Sequence, residues 1–356
     1  MPVADLSNPQ VSEFDVIVNG KTLPGEKRPF VGSILVDDSI ALPGMFALEM
    51  VSSFELDDVN EWIDDELFTV GNVVEIKLGY GNDLEALIIG EITGLEPEFI
   101  SSRLPTLTVR GYDRRHRLQR GRKTRTFVKQ KDSDIASKIA VDAGLRAQTV
   151  DSEVTHDYVI QANQTDLEFL QERARRIEYE VVVYDKELIF RPVQNSESEV
   201  LTLTMDDHLL EFYPRLSAAR QISEVSVRGW DPKERKAIVG KAQASSLVST
   251  MGEGESGPKL SDKAFGSIAD VLSAQPLMTQ AEADQIAKAA LNRKALSLIE
   301  GEGLCLGRTD LRAGKVIKID GLGRRFGGKY YVTAAIHRYT AAGGYRTQFQ
   351  VRRNAS

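Results

Sequence analysis

The sequence predicts an α+β chain in which strands predominate. Short alternating strands divided by glycine, proline and acidic turns fill its first third and its end. Helical periodicity is confined to the middle and to one later stretch. Two segments also recur. Val109-Arg110-Gly111-Tyr112-Asp113 is matched by Val227-Arg228-Gly229-Trp230-Asp231. Gly71-Asn72-Val73-Val74-Glu75-Ile76-Lys77-Leu78-Gly79 is matched by Gly314-Lys315-Val316-Ile317-Lys318-Ile319-Asp320-Gly321. Paired β segments of this kind point to a duplicated module. Their order is reversed, since Gly71 precedes Gly111 whereas Gly229 precedes Gly314. Either the second module is rearranged, or the pairs share strand chemistry without common descent.

Residues 13–112 read as strands at the short spacing of an antiparallel barrel or sandwich. Phe14, Val16 and Val18 alternate with polar positions before a Gly20-Lys21 turn, and further strands are expected at 32–36, 45–52, 73–78, 86–92 and 106–109. The acidic run from Glu55 to Glu66 lacks the Asp-x-Asp-x-Asp-Gly spacing of a calcium loop and reads as a solvated connection. After residue 130 the period changes. Asp132 or Ser133 caps a helix whose apolar face holds Ile135, Ala136, Ile139, Ala140 and Ala143, with Gly144 at its end. Thr165 and Glu168 form a capping box for a second helix carrying Leu167, Leu170, Ala174 and Ile177. A hairpin over 179–191 completes a compact α+β domain. Strands return at 200–204 and 222–228, and the Ser/Gly-rich stretch 242–258 reads as an exposed mobile loop. A third helix, capped by Thr279 and Glu282, precedes closing strands at 315–319, 330–339 and 345–352.

A length of 356 residues exceeds one ordinary core, so several domains are expected. Hydrophobic and charged shares of 42% and 27% are those of a globular protein. A net charge of −7 argues against a dedicated nucleic-acid binder. The lone Cys305 excludes an internal disulfide and a cysteine zinc cluster. Neither a signal-peptide pattern nor an apolar stretch near the roughly 20 residues of a membrane span is visible.

Several motifs approach known chemistry and miss it. Gly321-Leu322-Gly323-Arg324-Arg325-Phe326-Gly327-Gly328 has the wrong spacing for a dinucleotide fingerprint and precedes a strand, so it reads as a glycine-rich turn. Gly301 to Thr309 carries Arg308 where a phosphate loop needs lysine. Gly254-Glu255-Ser256-Gly257 lacks nucleophile-elbow spacing. His116, His156, His208 and His337 are scattered, and Cys305 sits between leucines as a packed residue. No catalytic residue, metal ligand or cofactor is expected. One charged cluster stands out: Arg114, Arg115, Arg117, Arg120, Arg122, Lys123 and Arg125. It suits a solvated or subunit-contact face, docking to an acidic partner, or a nucleic-acid backbone contact. Without interleaved aromatics, nucleic acid is the least favoured of the three.

Read together, Gly301-Glu302-Gly303-Leu304-Cys305-Leu306-Gly307, Leu311 to Val316, Gly321 to Thr333 and the ending His337-Arg338-Tyr339 through Arg352-Arg353-Asn354 resemble the late control D proteins. The stretch from Thr165 to Pro192 fits the same pattern. These proteins, with the VgrG-type hubs, sit in the baseplates of contractile injection machines. The resemblance implies two related antiparallel β-barrels with an α+β domain between them, the second barrel being split. The expected limits are 1–125 for the first barrel, 126–195 for the α+β domain, 196–240 with 297–356 for the second barrel, and 241–296 for a mobile loop and helix. It further implies a non-enzymatic homotrimer that adapts a threefold spike to a hexameric tube, alongside other baseplate proteins. A cell-wall-acting enzyme subunit and a DNA-binding assembly protein are the alternatives. Such a protein is made in the bacterial cytoplasm without a membrane anchor and assembled into a phage tail, tailocin or injection particle. The chain carries no β-helical spike after Ser356, so a separate spike protein is expected.

Overall fold

The computed structural model describes residues 11–51, 64–231, 234–273 and 277–356. Residues 52–63, most of the acidic run, lie outside that set. The chain opens with β1 (Ser12–Val18), β2 (Lys21–Thr22), β3 (Val31–Ser39), β4 (Met45–Val51), β5 (Val73–Tyr80), β6 (Asp83–Glu98) and β7 (Thr106–Tyr112). Alternation builds this unit: Phe14, Val16 and Val18 on β1, Ile34 and Val36 on β3, and Phe46, Leu48 and Met50 on β4 all enter one core. In the local order β3-β4-β7-β6-β5-β1, both outer strands contribute to this core, so this part of the sheet curls around its own side chains.

The α+β unit follows: α1 (Arg115–Leu118), β8 (Lys123–Lys131), α2 (Asp132–Asp142), β9 (Arg146–Thr149), β10 (Thr155–Gln164), α3 (Asp166–Arg176), β11 (Tyr179–Tyr184) and β12 (Glu187–Pro192). Thr165 caps α3 as expected, accepting from Glu168 N at 3.1 Å while Glu168 returns a bond to Thr165 N at 3.0 Å. The β8–β10 pair is absent from the sequence reading, because only Phe127 and Val159 face its core while Val128, Tyr158 and Ile160 are exposed.

The remaining elements are β13 (Thr202–Thr204), β14 (Leu209–Leu216), β15 (Glu224–Asp231), β16 (Lys236–Gln243), α4 (Gly257–Phe265), β17 (Ala269–Leu272), α5 (Gln280–Ala295), β18 (Ile299–Leu306), β19 (Val316–Asp320), α6 (Gly323–Phe326), β20 (Gly328–Thr340) and β21 (Gly344–Arg353). Thirteen strands join in one sheet whose path is β14-β18-β21-β20-β3-β4-β7-β6-β5-β1-β2, with β19 and then β13 branching from β20. No ladder closes either half on itself among the described residues. Instead β20 serves both: residues 328–331 pair with β19, and residues 334–340 pair with β3.

Three expectations change here. The strand around Gly229-Trp230-Asp231 is not in the second module; β15 pairs with β16 and β17 in a separate sheet. That sheet buries Val225, Val227 and Ile238 beneath Ala283, Ile286 and Ala287 of α5. The strand was legible, but its helical cover lies some fifty residues on. The stretch expected to be mobile is tied to the chain's end: Asn354 accepts from Met251 N at 2.9 Å and donates to Ser249 O at 2.6 Å. The glycine-rich turn before β20 contains the single-turn helix α6, and Gly301 to Leu306 is strand β18. Its glycines admit aromatic rings, Gly301 that of Phe212 and Gly303 that of Phe349.

Candidate functional site

The basic run does not form a free positive face. Its first half is a buried knot. Asp113 Oδ2 accepts from Gly44 N at 2.6 Å and from Arg115 Nε at 2.9 Å, and Arg115 reaches Ser39 O at 2.8 Å. Glu91, nearly buried, takes Arg114 at 3.1 Å, His116 at 2.9 Å and Arg117 at 2.7 Å. Burial alone would raise the Glu91 carboxyl, but hydrogen bonds from Arg117 and His116, with the charges of Arg117 and Arg114, hold it below its ordinary value. Arg114 also pairs with Asp185 in the β11–β12 turn. The knot therefore fastens the first β unit to the α+β unit. The second half pairs within the α+β unit: Arg122 with Glu168 at 3.1 Å, Lys123 with Asp166 at 2.7 Å, and Arg125 with Asp142 and Asp166 at 2.9 and 2.7 Å. Arg117, Arg120, Arg122 and Lys123 remain exposed.

Other units meet through similar ties. Arg312 donates to Asp38 at 2.9 Å and to Leu87 O at 2.6 Å, binding the second β unit to the first. Tyr331 donates to Glu180 at 2.6 Å, and Arg176 pairs with Glu282 of α5 at 2.8 Å. Beside these lies a groove of about 930 Å³ between α3 and the β15 sheet, where Arg122, Arg175, Arg176, Arg228 and Arg293 outnumber Glu168 and Glu172. A smaller cavity of about 330 Å³ is lined in part by Glu178, Arg293 and Tyr331. Burial pushes the Glu178 carboxyl up to about 8. His337, fully buried under β3, meets Tyr345 Oη at 2.8 Å; burial and the Arg312 charge lower its pKa to about 3. Burial raises the Cys305 thiol to about 12, so it stays protonated. Among the described residues, no three His, Cys, Asp or Glu side chains gather as a metal site.

The two β units share more than composition. Paths β3-β4-β7-β6-β5-β1 and β14-β18-β21-β20-β19-β13 follow the same order, differing only in the direction of the last strand. Register slips between Ile92 and Gly94 on β6, and between Val332 and Ala334 on β20. The extra residue is threonine in both. Thr93 donates to Arg110 O at 3.5 Å, and Thr333 to Gln350 O at 3.2 Å. Gly71 N donates to Ile92 O at 2.8 Å and Gly314 N to Val332 O at 2.9 Å. Both glycines are left-handed, with φ of +96° and +79°, which a β-carbon would oppose. Gly111 and Gly229, by contrast, lie in different sheets, on β7 and β15. Each admits a close side chain, Phe46 over Gly111 and Leu277 over Gly229. Tyr112 and Trp230 continue these two strands, and Asp113 caps the Arg115 turn.

This fold is that of phage tail and type VI secretion proteins. The chain is similar to the prophage 43 kDa tail protein of Shewanella oneidensis, with 14% identity, coverage of 96% of this chain and 98% of that one, and a TM-score of 0.70. A tail protein of Neisseria meningitidis gives 13% identity, 96% coverage of both chains and a TM-score of 0.69. An Escherichia coli type VI secretion component, itself similar to T4 tail proteins gp27 and gp5, gives 12% identity, 96% and 77% coverage and a TM-score of 0.58. No curated protein matches the sequence. The family model for the Alg8 N-terminal domain matches residues 8–341, and the chain belongs to that family.

Proposed function

We propose that this chain is the structural hub of a contractile injection machine of the late control D and VgrG type. It works as a homotrimer that carries a separate spike on one face and a hexameric tube on the other. The observation that carries the reading is the doubled β unit, with its common strand order, threonine bulges and glycine bonds. Two equivalent units per chain let three chains offer six equivalent positions to a tube while keeping threefold symmetry toward a spike. The likeness in fold to tail proteins supports this reading. The work is mechanical and uses no cofactor. Exposed Arg117, Arg120, Arg122 and Lys123 serve as subunit or partner contacts, while Arg114 and Arg115 hold the units together.

Light scattering with negative-stain class averages tests the reading. The expected result is about 118 kDa, three chains of 39.4 kDa each, with six-lobed rings. A persistent monomer that binds neither a tube nor a spike protein from the same gene cluster sinks it.

A further inference from the structure

The β3–β20 junction inside the chain has a counterpart that the chain leaves open. Among the described residues, β6 has no strand on the side opposite β7 beyond Glu91, and β14 pairs with β18 alone. By the shared order of the two units, β6 is the equivalent of β20, and β14 the equivalent of β3. The two free edges are therefore the two halves of one junction, one on β14 at an end of the strand path and the other on the part of β6 that runs past β5.

We propose that a second copy of this chain docks head to tail on these edges, the β6 edge of one subunit joining β14 of the next. This rests on the hub reading and adds its surface and its register. Within the chain His337 lies opposite Val36. The matched bulges make Pro97 the equivalent of His337, and the β4–β7 and β18–β21 pairings make Pro214 the equivalent of Val36. Between subunits Pro97 then faces Pro214, Leu95 faces Leu216, Glu96 faces Arg215 and Phe99 faces Phe212.

Three features fit that register. First, Ala341 N donates to Gly32 O and Ile40 N to Thr333 O. The odd-numbered residues of β20 thus aim their main-chain groups at β3. By equivalence Pro97 and Pro214 lack N–H groups only on their outer sides, so neither interrupts its own ladder. The Leu95–Leu216 and Phe99–Phe212 pairs then carry the intersubunit hydrogen bonds. The prolines leave a gap between them, which shields each lone edge from unselected strands. Second, Glu96, which within the chain accepts from Arg110 at 2.8 and 2.9 Å, falls opposite Arg215, and both Glu96 and Arg215 are exposed in the single chain. Third, Phe99, the residue that follows β6, is 64% exposed, and Tyr213 on β14 is 68% exposed. Phe99 is the equivalent of Tyr339, which within the chain crosses the junction to pack on Phe14 at 5.0 Å. In the ring it packs on the neighbour's half-buried Phe212. A heterologous contact of this kind closes into a ring when its rotation divides a full turn.

Disulfide trapping in the full chain tests this. Glu96 and Arg215 form a non-hydrogen-bonded pair, whose roughly 4.5 Å Cα separation suits a disulfide. The native Cys305 is buried and does not compete. Under mild oxidation, mixed Glu96→Cys and Arg215→Cys single variants are expected to give covalent dimers, while neither variant alone does. The double variant is expected to run as a closed trimer, and an off-register Glu96→Cys with Glu211→Cys double variant is expected to stay uncrosslinked. A trimer by light scattering without crosslinks at this pair overturns the junction and leaves the hub reading standing. Crosslinked rings of another size support the junction and overturn the trimer. Dimers from Glu96→Cys alone show a symmetric contact and overturn the head-to-tail arrangement.

Discussion

Acid should open the β20–β21 region first, and His337 sets the size of the effect. The folded protein lowers the His337 pKa to about 3, through burial and then the Arg312 charge, whereas a free histidine titrates near 6.5. A base with a lowered folded pKa contributes stability that is present above its unfolded value and lost as pH falls toward the folded one. The window here runs from about 6.5 down to about 3. Each unit corresponds to about 1.4 kcal/mol, so about 2 kcal/mol should be lost between pH 6.5 and pH 5 from this residue alone. The loss is local, because His337 sits where β20 pairs with β3 and β21. Hydrogen exchange of β20 and β21 peptides, corrected for intrinsic rates, reads it directly. The wild-type opening energy should fall between pH 7.5 and 5.0 by about 2 kcal/mol more than that of His337→Gln, which cannot gain the proton. Whatever the substitution costs at pH 7.5 cancels in that comparison. Equal falls in the two proteins refute the reasoning.

Three further outcomes follow from the same geometry. Glu178 has the opposite sign: its folded pKa of about 8 means stability is present below about 4.5 and lost as pH rises. Glu178→Gln should thus raise the melting temperature at pH 8 and leave it unchanged at pH 4, with about 3 kcal/mol as the upper bound at pH 7. Arg312→Ala leaves the half-buried Asp38 carboxylate and the Leu87 carbonyl without their donor, and should cost about 1–3 kcal/mol in urea unfolding. Gly111→Ala drives a β-carbon into the Phe46 ring and the Glu91 carbonyl, whereas Gly94→Ala meets open space. The first should lower stability by about 1–3 kcal/mol and the second by under about 1 kcal/mol, measured by thermal unfolding.

Local signals explain which elements were legible. Thr165 and Glu168 bond each other across three residues, so the α3 cap is written in adjacent sequence. Gly71 and Gly314 mark equivalent turns because a left-handed φ leaves few residues to choose from. The Val-Arg-Gly-aromatic-Asp strings misled in placement because their common feature, a glycine under a side chain, serves any tightly covered strand. Spacing alone could not show that Phe46 covers one glycine and Leu277 the other. In sequence the arginine run has the look of a solvated or contact face, because burial of Arg114 and Arg115 depends on Glu91, Asp113 and Asp185, of which only Asp113 is nearby. Shared order between the β units was hidden because the β15–β17 sheet and α5 intervene between β14 and β18.

The buried ions also bear on how the units are joined. Glu91, Asp38, Glu180 and Glu282 each stand where one unit meets another, and each takes a partner from across the boundary or from the segment leading into it. Replacing such pairs with apolar side chains of equal volume is often neutral or stabilising, so net stability is a poor reason for them. An apolar seam tolerates small slips, whereas a carboxylate that loses its arginine is left charged in a dry place. Each seam therefore has one low-energy alignment. The shared strand β20 adds a covalent constraint, since the two cores cannot rotate apart without breaking either the β19 or the β3 ladder. If the chain acts as a hub subunit, its two β units must keep a fixed angle to each other, and the shared strand supplies that stiffness. In the proposed ring, the β6–β14 joint would lack such a covalent tie and, with Pro97 opposite Pro214, would carry fewer ladder hydrogen bonds than the β20–β3 joint.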